Sequence, residues 1–216
     1  MNDDERQPVN PLLSLLPPEH DSIRSFTNSI RVSWHHFYIE GEIQEDIKPY
    51  LNLINCLKTS EPKDTIIIYL NTFGGSLYTA LSIINSIKAS EATVVCSLDS
   101  IAASAGSMIF LAAHKFIVSP NCTMMIHDYS QSMMSSGHSI NLQVDFQKSY
   151  FKDLYKDIYS GFLTDAEIHS VLTGTDMWFS SDQILSRLKK DATLNILDED
   201  SDKPKRKAKK KSKSKK

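Results

Sequence analysis

Cysteine is scarce: the 216 residues hold only three, Cys56, Cys96 and Cys122. They lie far apart, are odd in number and match no metal-ligand spacing. This argues against a disulfide framework or thiolate metal site and points to reduced thiols in or near a core, in a cytosolic-type compartment. Long apolar runs are also missing. The longest, 101–113, is too short to cross a bilayer and is interrupted by Ser104, Ser107 and Gly106. No charged-then-apolar leader opens the chain, and Asp3, Asp4 and Glu5 argue against secretory or organellar targeting, so a cytoplasmic location without membrane contact is expected. Basic charge is short in the body, which holds 14 Lys and Arg against 25 acids. Residues 201–216 hold ten of the 24 Lys and Arg and one of the 26 acids, leaving the body near −11 and the tail near +9. Nucleic acid or another acidic partner is therefore expected only through the tail.

What is present suits one domain: a hydrophobic content of 41% supports a proper core. The expected organisation is an amino-terminal arm over 1–30, a globular domain over 31–198 and a disordered basic tail over 199–216, where Lys, Ser and Asp leave too little apolar surface to bury. Val32, Trp34, Phe37 and Ile39 predict a first strand that ends at Gly41. Helical spacing of Ile47, Leu51, Ile54 and Leu57 predicts a helix over 45–60, with Pro49 in its opening turn. The β-branched run 65–70 reads as a parallel strand covered on both faces, followed by a turn over 71–75 and a helix carrying Leu77, Leu81, Ile84 and Ile87. A strand over 92–98 leads to a small-residue turn around Ser104 and an apolar helix. Two short strands, 115–119 and 123–127, follow. A long helix over 141–162 has Val144, Phe151, Leu154, Tyr155, Ile158 and Phe162 on one stripe, part of which is expected to meet another chain. Thr164 and Glu167 resemble a capping box. An extended piece over 176–180, a last helix over 181–189 and a possible edge strand over 194–197 complete the chain. This alternation predicts an α/β domain on a mainly parallel sheet, with sites beyond the carboxyl ends of the strands.

Ser104 stands among alanines and glycine at the mouth of a helix with no wet face, so it is either a satisfied polar group or a nucleophile. A serine nucleophile needs a base, a group to orient the base, and donors for the oxyanion. Of the seven histidines, only His127 ends an apolar strand at the same sheet edge. Asp128 adjoins it but points to the other face, and Asp165 and Asp182 sit where helix caps belong. Asp176, held against Trp178 and Phe179, is the expected orienting acid. The amides of Gly74 and Ala105 are the expected oxyanion donors, while Ser107 reads as structural.

Together these residues resemble the family of the Clp protease proteolytic subunit (ClpP). Asn71-Thr72-Phe73-Gly74-Gly75-Ser76 is similar to that family's Asn-Ser-Pro-Gly-Gly-Ser turn. Ile101-Ala102-Ala103-Ser104-Ala105-Gly106 is similar to its Gln-Ala-Ala-Ser-Met-Gly nucleophile turn, and Met125-Ile126-His127 to its base strand. The resemblance covers about 32–197. It implies a ClpP/crotonase-like α/β fold with a protruding handle over about 130–162, and a serine endopeptidase with Ser104 as nucleophile, His127 as base, Asp176 as orienting acid and Gly74 and Ala105 as oxyanion donors. It further implies self-association into stacked heptameric rings and an AAA+ unfoldase ATPase partner that delivers unfolded polypeptide. No cofactor or metal is expected, because ATP is used by the partner. The chain departs from the pattern at Phe73, Ala105 and Asp128-Tyr129, and in its arm, its basic tail and a handle loop about two residues longer. The rival readings are a crotonase-type acyl-CoA enzyme, which would not need Ser104, and a ring or scaffold subunit with a vestigial triad. A Ser-Lys dyad is disfavoured because Lys115 follows Ser104 too closely.

Overall fold

The computed structural model describes residues 32–130 and 136–188. The expected arm, the edge strand over 194–197, the basic tail and residues 131–135 of the expected handle loop lie outside the described residues.

Strands β1 (Trp34–Ile43), β2 (Thr65–Gly75) and β3 (Thr93–Ala103) run parallel, side by side. Two short strands share the far side of β3: β4 (Lys115–Val118) pairs beside 95–98, and β5 (Thr123–Ile126) beside 101–103. An antiparallel strand, β6 (Met177–Ser180), lies along β5. Between them come α1 (Leu51–Thr59), α2 (Leu77–Ala89), α3 (Ala105–Leu111), α4 (Gly137–Tyr159), α5 (Asp165–Leu172) and α6 (Ser181–Arg187). The architecture is thus the α/β one expected, on a six-stranded, mainly parallel sheet.

Alternation along the strands places the core. Ile66, Ile68 and Leu70 of β2 and Val94, Cys96 and Leu98 of β3 are fully buried, in one cluster with Leu53, Ile54 and Leu57 of α1 and Ile83, Ile84 and Ile87 of α2. Each such aliphatic side chain contributes about 1.5–3 kcal/mol by leaving water. The opposite face differs from the two-sided burial expected of β2. Ile67 is buried outside the main cluster, and Tyr69 stacks on Tyr38, which stays exposed like Trp34.

Three boundaries depart from the sequence reading. β1 does not stop at Gly41 but continues to Ile43 through an irregularity between Glu40 and Glu42. Residues 71–75 are not a free turn; they prolong β2, with Glu42 opposite Gly74 and Ile43 opposite Gly75. β3 runs on to Ala103 because β5 supplies a partner for its last residues. In each case a neighbouring strand satisfies backbone groups that local sequence would have released.

The long helix also divides its stripe. Phe151, Tyr155 and Ile158, with Phe162 just beyond, are buried in this chain's own core and Val144 and Leu154 are half-buried, whereas Leu142 and Phe146, off that stripe, are 61% and 67% exposed. The exposed apolar residues of α4 thus lie beside the stripe, mostly in the first half of the helix, and not on it.

Candidate active site

The sheet brings the ends of four strands together. β2 ends at Gly75, β3 at Ala103 and β5 at Ile126, while β6 begins at Met177. Ser104, the residue after β3, has φ 54° and ψ −124°, a backbone conformation rare for a residue with a Cβ. Its backbone is held by several bonds, the longest from the Met108 N–H to its carbonyl at 3.4 Å. Its N–H donates to Met125 O at 2.9 Å, and its carbonyl accepts from the Ser107 N–H at 2.9 Å and from the Ser107 hydroxyl at 2.7 Å. The sharp strand-to-helix turn leaves the Ser104 hydroxyl half-buried and pointing outward.

His127 follows β5, and its Nε2 lies 2.8 Å from Ser104 Oγ. Its backbone carbonyl accepts from the Tyr155 hydroxyl at 2.7 Å. Asp176 stands one position beyond the last pair of the β5–β6 ladder, Ile126 with Met177, so it is the next position across from His127. Its carboxylate is exposed and makes no hydrogen bond to His127. Asp128 instead accepts from the N–H of Tyr129 at 2.9 Å. Burial pushes the Asp128 carboxyl above its usual value, against the opposing pull of that bond and of nearby His127. Asp165 and Asp182 lie in the first turns of α5 and α6, whose caps are Thr164 and Ser180. Both ends form capping boxes, the expected one at Thr164 and Glu167 and a second at Ser180 and Gln183.

The glycine segment is built against the serine turn. Gly74 has φ 100°, and a Cβ there would sit 2.7 Å from both Ala103 O and Ser104 Cβ, so only glycine allows the two turns to touch. The Gly74 N–H, expected to be an oxyanion donor, is already engaged: it donates to Thr72 Oγ1 at 3.0 Å. Thr72, fully buried, donates its own hydroxyl to Gly41 O and so ties the irregularity in β1 to the glycine segment. The next residue is placed differently. β1 takes the Ser76 amide, which donates to Ile43 O at 2.8 Å, and passes over Gly75. Gly75 therefore lines the cleft with Ser104, Ala105 and His127, beneath an aromatic wall that includes Tyr129 and Phe151. The cleft is about 840 Å³, ample for several residues of an extended peptide.

A hydroxyl in hydrogen-bond contact with an imidazole, beside backbone amides in an open cleft, is the equipment of acyl transfer. The two buried thiols, Cys96 and Cys122, are not competitors. Burial raises the Cys96 thiol well above its ordinary range and the Cys122 thiol to about 11, leaving both protonated. Among the described residues no group of His, Cys, Asp and Glu is arranged to hold a metal ion, and no helix is long and apolar enough to cross a membrane.

A family model for the Clp protease matches residues 24–188. The chain belongs to the Clp protease family. Comparison with curated proteins gives no match. The match to the Clp protease family spans the serine turn, the glycine segment and the long helix. Sequence reasoning did not single out Thr72 or Tyr155 as parts of the site, and of the two glycines of the turn it assigned the oxyanion to Gly74, whose amide is engaged by Thr72. Thr72 carries a faint signal, a polar residue between apolar strand positions. Tyr155 is legible only as a member of the apolar stripe of the long helix, and nothing in the sequence marks its hydroxyl.

Proposed function

We propose that this chain is a serine-type endopeptidase, the proteolytic subunit of an ATP-dependent Clp-like complex that hydrolyses peptide bonds in unfolded polypeptides. The reading rests above all on the 2.8 Å approach of Ser104 Oγ to His127 Nε2 in a Clp protease family domain. In it, Ser104 attacks the scissile carbonyl while Nε2 takes the hydroxyl proton. The oxyanion is received by the amides of Ala105 and Gly75, since the Gly74 amide is engaged by Thr72. His127 returns the proton to the leaving amine, and a water, deprotonated by His127, then resolves the acyl-enzyme. Asp176 is assigned to Nδ1 of His127, which it reaches from the next position across the ladder once the loop around it tightens on substrate or on assembly.

Assembly belongs to the same proposal. The family generally forms rings with AAA+ partners, and the exposed Leu142 and Phe146 in the first half of α4, with Tyr150 just beyond, offer an apolar surface to a second subunit. ATP would be consumed by the unfoldase alone, and the complex would work in the cytoplasm. The decisive experiment is hydrolysis of short fluorogenic peptides by wild type and Ser104→Ala on size-resolved assemblies. A loss of at least about 10³-fold in Ser104→Ala is expected; equal cleavage by the two proteins would overturn the mechanism.

A further inference from the structure

Among the described residues two tyrosines are buried, Tyr155 and Tyr159, at 2% and 1% exposure. They stand four residues apart on α4, on one face, with rings 5.3 Å apart. A phenol hydroxyl in an apolar interior is unfavourable unless bonded, and phenylalanine would fill the same space without that burden. Where the two hydroxyls go is therefore informative. Tyr155 donates to the carbonyl of His127 at 2.7 Å, the first carbonyl beyond β5. The Tyr159 hydroxyl meets Ser107 Oγ at 2.9 Å, and Ser107 Oγ donates to the carbonyl of Ser104 at 2.7 Å. Each buried tyrosine thus ends on the backbone of one member of the Ser104–His127 pair.

We infer that Tyr155 and Tyr159 are positioning residues that hang the base and the nucleophile from one helix, α4, and so set the distance between them. This deepens the peptidase reading and rests on it for its kinetic consequences. The Ser104 side is already held by Met125 and Ser107. His127 is otherwise less firmly held: it lies past the last ladder pair, and among the described residues its ring is bonded only to Ser104. The Tyr155 bond therefore carries the larger share. Burial drives both phenols far above their ordinary range, so both remain protonated, and Tyr155 remains a donor, throughout the working pH. A misplacement of about 1 Å between reacting groups can lower a rate by about 100-fold, so the loss of one such tether is expected in kcat rather than in KM.

The test compares Tyr155→Phe, Tyr159→Phe and the control Ile158→Val, a buried position on the same helix with no polar atom. Steady-state peptide hydrolysis, the rate of Ser104 labelling by a fluorophosphonate, melting temperature and crystal structures are measured for each. Tyr155→Phe is expected to lower kcat and the labelling rate by about 10-fold or more with KM within about two-fold, and to move His127 Nε2 out of hydrogen-bond reach of Ser104. Tyr159→Phe is expected to do the same more weakly, and Ile158→Val to lower the melting temperature without changing kcat. If Tyr155→Phe keeps kcat within about two-fold and keeps the Ser104–His127 contact, the inference is wrong, whatever happens to its melting temperature. If wild type hydrolyses no peptide, the peptidase reading fails, and the Ser104–His127 separation in the variant crystals still decides whether the tyrosines set it.

Discussion

Ser104 can hold its unusual backbone only because its surroundings over-determine it, and Thr72 is the least conspicuous of those surroundings. Its single hydroxyl reaches Gly41 and Gly74 at once, joining β1 to the segment that packs on the serine turn. Thr72→Val keeps the shape and removes both bonds, leaving buried backbone groups unsatisfied. It should lower stability by about 1–3 kcal/mol in urea unfolding and reduce peptide hydrolysis, whereas Thr72→Ser should retain most of both. Gly74→Ala tests the steric side of the same contact. The methyl would meet Ala103 O and Ser104 Cβ, so hydrolysis is expected to be lost even in preparations that remain folded by circular dichroism. For Asp176 the measurement is kcat of Asp176→Asn. A fall on the order of 10²–10⁴-fold at nearly constant KM is expected if it orients the base, and an unchanged kcat would remove it from the mechanism.

At the scale of elements, the carboxyl-terminal helices are clamped by one ion pair. Arg187 of α6 donates through both terminal nitrogens to Glu167 of α5, at 3.0 and 2.7 Å, and stacks over Phe162 and Phe179. The Arg187 bonds, with the capping bonds from Thr164, hold the Glu167 carboxyl at about 2 against a usual 4.5. Because the folded value is the lower one, the stabilisation is fully present above about pH 4.5 and is lost as pH falls toward 2. Asp64 acts in the same sense: its bonds from the Glu61 and Ser33 amides lower its carboxyl and tie the loop before β2 to the start of β1. Urea unfolding followed from pH 7 to 3 should show stability falling below about pH 4.5 in the wild type. Arg187→Gln should flatten that dependence and lower stability at pH 7 by about 1.5–3 kcal/mol. Of these contacts the capping box at Thr164 and Glu167 was readable in four consecutive residues. The partner of Glu167 twenty residues on was not, because nothing local distinguishes Arg187 from any surface arginine.

For the whole molecule, the first half of α4 carries apolar residues that find no cover within the described chain, as do Trp34, Phe73 and Tyr78 elsewhere on its surface. Phe146→Glu, placed at a 67% exposed ring, should leave the melting behaviour of the domain nearly unchanged. By mass photometry it should shift the protein toward smaller species, and unchanged assembly would exclude this surface from the subunit contact. Element types, the parallel sheet and the meeting of Ser104 with His127 at one edge could all be read from the chain alone. They follow from side-chain periodicity, turn chemistry and the rule that strand ends gather at one side of a parallel sheet. Other features were decided only by tertiary structure: the prolongation of β1 past Gly41 and of β2 through Gly74 to Gly75, the engagement of the Gly74 amide that leaves Gly75 facing the cleft, the exposed station of Asp176, and the two tyrosine hydroxyls behind the serine and the histidine. Each of these depends on which backbone group finds a partner. That choice is made between strands and helices far apart in sequence, where a buried donor or acceptor must be satisfied by whatever the fold has placed beside it.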